Sequence, residues 1–224
     1  AAANAGDDAI VDSIVEEWQE MYEKIREYEP VVFFQRFMLA EYPGKITTKQ
    51  LYEKIQQKIS DEKWDAKDIY EFTNKLKKAA TIYAELIDAN VGNAKINRRL
   101  SDIKLFEASP SYTLLLRITP LLKSELLDET QYLKIIDLIE TFHIRWGIVG
   151  QSTSRLSEIY KRMCVKLGFV EASEIFNMIE QEYLFWAASI KDSVFRSAFQ
   201  EVFGKPADTR TKFIIWKLGN PAGE

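Results

Sequence analysis

Residues 154–167 read SRLSEIYKRMCVKL, and this stretch carries the most regular apolar pattern in the chain. Its apolar side chains recur at steps of three and four residues, which is the repeat of one face of an α-helix. They are Leu156, Ile159, Tyr160, Met163, Cys164 and Leu167. The stretch therefore predicts an amphipathic helix with one face buried in a core.

The same repeat continues along most of the chain. A first helix carries the stripe Ile10, Ile14, Trp18, Met21 and Ile25, and helices are also predicted over 171–189, 192–203 and 207–217. Residues 112–122 are apolar on nearly all sides, which is typical of a central helix, and Pro120 predicts a kink or the start of a new helix there.

The predicted fold class is all-α, a multi-helix bundle of about ten helices in two packed halves. Residues 1–92 form the N-terminal helical half. Residues 93–224 form the C-terminal helical half, which contains the segment from Arg145 to Arg155.

Composition narrows the class of protein. The chain has 224 residues, of which 46% are hydrophobic, with 9 Gly, 6 Pro, one His and one Cys. A single cysteine excludes an intrachain disulfide framework, and Cys164 with His143 is too small a set for a zinc site, so we expect no metal and no cofactor in this chain. No stretch has the length and apolarity of a membrane span or a signal peptide, so we expect a cytoplasmic protein that does not enter a membrane.

The net charge of −4 is unevenly distributed. Residues 1–29 hold nine acids against Lys24 and Arg26, a net charge of −7, so the remaining 195 residues carry +3. Because electrostatic contact with nucleic acid depends on one face of a protein, the overall negative charge does not argue against DNA as a partner.

No catalytic constellation is present in the sequence. It contains no phosphate-binding GxxxxGKS loop, no GxGxxG, no HExxH and no CxxC motif. His143 lies on the apolar face of its helix and is predicted to be a core histidine bonded to a carbonyl, with a catalytic role as the alternative. Cys164 is predicted to be a small buried hydrophobe, with a reactive thiol as the alternative. We expect no catalytic residue in this chain.

Two basic clusters are candidate contacts for DNA. The first includes Lys95, Arg98 and Arg99, and the second includes Arg155, Lys161 and Arg162. Each cluster, taken as residues 95–104 or 155–166, carries a net charge of +3. Either cluster is a solvated helix face or a surface that contacts phosphates, and the sequence leaves both interpretations open.

A loop of small and hydroxyl residues, 147–155, precedes the most regular helix. Free amides at a helix N-terminus can hold an anion, and Gly150, Ser152, Thr153 and Arg155 are the candidate contacts. Glycine followed by serine or threonine is also ordinary chemistry for ending one helix and starting the next, so this second interpretation stays open. A small enzyme acting through this loop is a further alternative.

Residues 138–160, LIETFHIRWGIVGQSTSRLSEIY, resemble a passage in GmrSD-like proteins, which are bacterial modification-dependent (type IV) restriction and phage-defence endonucleases. The match falls on Arg145, Gly150, Thr153 and Leu156, and Arg145 is a further candidate contact for an anion or DNA. Weaker similarity covers 32–37, Gly44 and 50–55, and then 192–199 and 210–218 near the end.

The family pattern places a helical region between a ParB/sulfiredoxin-like domain that hydrolyses nucleotides and an HNH nuclease. Neither the nucleotide-site residues nor the nuclease motif has a counterpart in this sequence. The resemblance therefore implies a non-catalytic helical scaffold that couples those two neighbouring domains of a nucleotide-dependent DNA endonuclease, and that itself contacts DNA. The alternative is a stand-alone helical protein-interaction module, which binds a partner helix or forms a homo-oligomer.

Overall fold

The structure is a computed structural model, and it describes residues 2–42, 48–203 and 209–219. Within these ranges the chain forms eleven α-helices and no β-strand. The prediction of an all-α multi-helix bundle is confirmed. The match to Gly44 lies outside the described residues.

The chain divides into two compact units, Ala1–Asp88 and Ala89–Glu224, whereas the sequence analysis placed the boundary after residue 92. The first unit contains α1 (Ala2–Ile25), α2 (Pro30–Glu41), α3 (Leu51–Asp61) and α4 (Ala66–Ile87). The second contains α5 (Ala94–Leu105), α6 (Tyr112–Lys123), α7 (Glu129–Ile148), α8 (Thr153–Leu167), α9 (Ile175–Ala188), α10 (Asp192–Phe203) and α11 (Thr209–Gly219). Short 3₁₀ turns precede α3, α6 and α9.

The core of the first unit forms where α1 packs along α4 and α2 covers one side. Its fully buried side chains come from all three helices and are Met21, Ile25, Phe33, Phe37, Leu76, Ala80 and Leu86. The Phe33 ring lies 5.3 Å from the ring of Tyr83 between centroids. Burial of these large side chains supplies the main free energy that holds the unit together.

Two helices begin at aspartates, a residue type that favours the N-cap position. Asp65 accepts a hydrogen bond from the Asp68 amide at 2.9 Å, and the Asp68 side chain accepts one from the Asp65 amide at 3.0 Å. Asp128 and Gln131 form the same reciprocal pair at 2.8 and 3.1 Å. Each pair satisfies two amides at the helix terminus.

In the second unit α6 is the most deeply buried helix, with Leu114, Leu115 and Ile118 fully buried, as predicted for a central helix. The prediction of a new helix at Pro120 is wrong, because α6 continues through Pro120 to Lys123. Pro120 is exposed and lies in the last turn, where it has no amide to donate to the Leu116 carbonyl one turn earlier. None of the helices in the described parts of the chain is long and apolar enough to cross a membrane.

A buried ion cluster ties α11 to α5 and α7. The Lys217 ammonium donates to Asp102 at 2.7 Å and to Glu140 at 2.8 Å, and both carboxylates are more than nine-tenths buried. Burial raises the pKa of Glu140, and the hydrogen bond from Lys217 opposes that rise. The Glu140 carboxylate therefore depends on the Lys217 cation to stay charged.

Replacing Lys217 with methionine should lower the free energy of unfolding by about 3 kcal/mol near pH 7, because it leaves two buried carboxylates without their cation. The pKa of Glu140 should then rise further above its unfolded value, so the folded state binds the extra proton as the pH falls. The defect relative to the wild type should thus shrink towards about pH 5. Urea denaturation of the wild type and of the Lys217→Met variant, at about pH 7 and about pH 5, measures this difference in the free energy of unfolding.

The matched control is Lys212→Met, which removes an exposed lysine from the same helix and should change stability by less than about 0.5 kcal/mol. An equal loss in both variants, or a Lys217→Met defect that grows as the pH falls, would contradict the proposed role of the cluster.

Candidate nucleic-acid interface

The turn between α7 and α8 is shorter than predicted, because α7 extends through Gly147 to Ile148 and only residues 149–152 connect the helices. Gly150 adopts a left-handed conformation, with φ of +67°. The Gln151 amide donates to the Trp146 carbonyl at 3.1 Å, and the Gly150 amide donates to the Gly147 carbonyl at 3.1 Å. This is a Schellman helix end, for which glycine is the preferred residue.

Ser152 starts the next helix. Its hydroxyl accepts a hydrogen bond from the Ser154 amide at 3.3 Å, and its carbonyl accepts one from the Trp146 indole at 3.0 Å. Thr153 is exposed and is the first residue of α8. The end of α7 therefore explains why glycine occurs at position 150, and the start of α8 explains the serine at position 152. Anion binding by this loop stays a prediction.

Arg145 connects α7 to the start of α10. Its guanidinium donates to the Ile190 carbonyl at 3.1 Å and to the Asp192 carboxylate at 2.6 Å, and it lies 4.7 Å from the centroid of the Phe195 ring. The hydrogen bond from Arg145 lowers the pKa of Asp192. These contacts give Arg145 a structural role in holding α10 against α7.

The basic cluster on α5 is partly neutralised by acids of α7. Lys95 lies 3.5 Å from Glu129, and Arg99 lies 3.2 Å from Asp137. Arg98 is exposed and makes no ion pair with any residue that the structure describes. The charge that this cluster offers to a ligand is therefore smaller than its sequence indicates.

The basic cluster on α8 lines an open groove of about 560 Å³. Its lining residues are Arg155, Glu158, Ile159, Lys161, Arg162, Val165, Lys166 and Trp186. Lys161 pairs with Glu158 at 3.3 Å, and Lys166 pairs with Glu182. Four cations thus line the groove with one carboxylate, Glu158, while Glu182 pairs with Lys166 from outside the lining, so an excess of positive charge remains.

Two arginines of this groove are available to a ligand. Arg155 and Arg162 are exposed and make no ion pair with any residue in the described ranges. The Arg155 guanidinium lies 5.6 Å from the ring of Trp186 and 5.9 Å from the ring of Trp146. The two aromatic rings hold the arginine near one end of the groove without neutralising it.

Sequence reasoning missed Trp186. It lies on α9, nineteen residues beyond the end of α8 at Leu167, and no local pattern relates it to the basic cluster. Its indole N–H is buried and has no acceptor in the part of the chain that the structure describes. The α8 groove therefore combines cations, apolar side chains and one aromatic residue.

The candidate residues consequently fall into three places. Arg155, Lys161 and Arg162 share the α8 groove. Arg145, Gly150, Ser152 and Thr153 do not line that groove and belong to the α7 end, the turn or the α8 start. Lys95, Arg98 and Arg99 lie on α5, which packs against α7.

His143 and Cys164 lie in the core, as predicted. His143 is 7% exposed, and its Nε2 shares a hydrogen bond of 2.7 Å with the Tyr160 hydroxyl, where the sequence analysis expected a carbonyl partner. The buried thiol of Cys164 donates to the Thr113 carbonyl at 3.7 Å. No cluster of three or more metal-ligating side chains occurs in the described ranges.

No family model, curated protein or solved structure matches this chain. The resemblance to GmrSD-like proteins therefore stays a prediction.

Replacing Arg145 with alanine should lower the free energy of unfolding by about 1 to 2 kcal/mol, because the Ile190 carbonyl and the Asp192 carboxylate lose a charged donor. Amide hydrogen exchange should become faster in α10, which Arg145 holds in place, and little changed in α6. Urea denaturation and hydrogen exchange detected by mass spectrometry measure the two effects.

Arg145→Lys is the matched control, since it keeps the charge but loses the planar fork, and it should retain part of the stability. A variant Arg145→Ala that keeps full stability but loses nucleic-acid binding would show that Arg145 is a ligand contact instead.

Proposed function

We propose that this chain is a non-catalytic helical scaffold and coupling region of a bacterial modification-dependent restriction or phage-defence endonuclease, and that the α8 groove is its contact with nucleic acid. In this proposal the nucleotide-hydrolysing and HNH nuclease domains are neighbouring parts of the full-length protein. They supply the chemistry, and the helical chain holds them relative to the DNA. The chain itself binds no cofactor.

The observation that carries the nucleic-acid contact is the pair of unneutralised arginines in one groove, of which Arg155 lies beside Trp186. Arginine is the preferred partner of phosphate, because its planar fork can donate two hydrogen bonds at once. Arg155 and Arg162 are seven residues apart on α8, a rise of about 10 Å, so they lie on the same side of the helix and can reach different phosphates.

The coupling role is supported by the residues that carry the family resemblance. Gly150 forms the turn that reverses the chain from α7 to α8, and Leu156 is 2% exposed in the core beneath α8. Arg145 links α7 to α10. These residues connect α7 to α8 and to α10, which suits a scaffold that transmits the position of one neighbouring domain to another.

A salt titration tests the phosphate contact. The purified chain should bind a fluorescent DNA duplex at about 50 mM salt and lose most of that affinity at about 200 mM. Arg155→Ala and Arg162→Ala should each weaken binding about five- to tenfold, and each should reduce the slope of log K against log salt by about 1. Fluorescence anisotropy provides both quantities.

Lys78→Ala is the control, because it removes an exposed lysine of the first unit and should leave binding unchanged. Arg98→Ala distinguishes between the two basic clusters, because a loss of DNA affinity as large as that of Arg162→Ala would place the contact on α5. Binding that is absent at low salt overturns the proposal.

The same proposal requires that the isolated chain has no catalytic activity. Incubation with plasmid DNA, Mg²⁺ and nucleoside triphosphates should release neither cut DNA nor phosphate above the blank, because the sequence contains no phosphate loop of a known kind and the residues that the structure describes form no metal cluster. DNA cleavage or nucleotide hydrolysis that co-purifies with the chain would contradict the assignment.

A further inference from the structure

A stripe of large apolar side chains lies exposed on α1. Val11 is 52% exposed, Val15 is 49%, Trp18 is 45% and Tyr22 is 47%. The spacing of four, three and four residues places them on one side of the helix. The stripe runs for about three turns, or roughly 17 Å.

This stripe is separate from the face that packs α1 into its own unit. Met21 and Ile25 are fully buried and make the contact with the core. The exposed stripe lies next to that face and continues onto α2, where Trp18 stacks on Phe34 with ring centroids 5.6 Å apart. Val31, near the start of α2, is 55% exposed and extends the apolar surface.

Acidic side chains border the stripe along the edge away from the core face. The residue that follows each stripe position is Asp12 after Val11, Glu16 after Val15, Gln19 after Trp18 and Glu23 after Tyr22, and all four are exposed. A step of one residue turns the helix by about 100°, so these side chains form a second row parallel to the first.

Most of this acidic row has no cation of its own. Asp12 and Glu16 make no ion pair with any residue that the structure describes, whereas Glu23 pairs with Arg26 at 2.9 Å. Lys77 of α4 pairs instead with Glu17 and Glu20. Asp12 and Glu16 therefore place unpaired negative charge beside the apolar stripe.

We propose that the α1 stripe, formed by Val11, Val15, Trp18 and Tyr22, is a docking site for an amphipathic helix of a partner protein with basic residues flanking its apolar face. The apolar face of that helix would cover the stripe, and its lysines or arginines would pair with Asp12 and Glu16. A partner helix of about three turns would be long enough to cover the whole stripe.

The charges argue against a second copy of this chain as the occupant. Two α1 helices packed stripe to stripe would bring together two segments that each carry a net charge of −7, and in the antiparallel arrangement the two acidic rows would lie side by side, so the charges repel. A basic helix removes this repulsion and gains attraction, so charge complementarity selects a partner of opposite sign.

Two synthetic peptides test the proposal. One is a peptide of about four turns with leucine at helical steps of three and four and lysine elsewhere, and the other has glutamate in place of each lysine. Fluorescence anisotropy of labelled peptides should show binding of the lysine peptide to the wild-type chain and at least tenfold weaker binding of the glutamate peptide. Absence of binding, or equal binding of both, overturns the proposal.

Variants locate the site. Val11→Ser with Val15→Ser should weaken binding of the lysine peptide at least tenfold, and Asp12→Asn with Glu16→Gln should weaken it about threefold or more with a smaller salt dependence. Leu105→Ser, which changes an apolar residue 50% exposed on α5, is the matched control and should have no effect. Circular dichroism confirms that each variant keeps the helical fold.

Light scattering tests whether a second copy of this chain covers the stripe instead. The wild-type chain should be a monomer at the concentrations used. A dimer that the Val11→Ser, Val15→Ser variant converts to a monomer would assign the stripe to a second copy and overturn the proposal. A lysine peptide that binds the Leu105→Ser variant as weakly as the stripe variant would equally overturn it.

Discussion

The position of the α8 groove depends on how α7 ends. Gly150 takes a left-handed conformation, the Gln151 amide returns to the Trp146 carbonyl, and the Trp146 indole reaches the Ser152 carbonyl. These interactions close one helix and open the next within four residues. The rotation of α8 about its axis follows from that closure, and with it the side on which Arg155 and Arg162 lie. A bulkier residue at Gly150 would strain a backbone conformation that L-residues rarely adopt.

Charge pairing across helices distinguishes surfaces that look alike in the sequence. The two basic clusters each carry +3, and their residue types are similar. The α5 cluster lies beside acids of α7, so Lys95 and Arg99 are paired. The α8 groove keeps two arginines without an acid and brings in Trp186 from α9. Only the second surface therefore combines excess positive charge with an aromatic side chain, which is the combination that nucleic-acid contacts use.

Periodicity located α1 but did not separate its two apolar faces. The predicted stripe included Trp18, Met21 and Ile25, of which Met21 and Ile25 are buried and Trp18 is 45% exposed. Val11, Val15 and Tyr22 extend the apolar side beyond the width that α4 and α2 cover. A sequence repeat shows that a helix has an apolar side, but the number of neighbours that pack on that side decides how much of it stays exposed.

The sequence by itself determined the helices, because helix formation depends on contacts within a few residues. The apolar repeat, the capping pairs at Asp65 and Asp128, and the core positions of His143 and Cys164 are all local features, and each was predictable. The limits of local reasoning appear at Pro120, where burial of the apolar segment in the core keeps the helix continuous. The tertiary structure alone decided which charges are neutralised. Arg145 meets Asp192 across 47 residues and Lys217 meets Asp102 across 115, and such pairings depend on helix packing that no local pattern records.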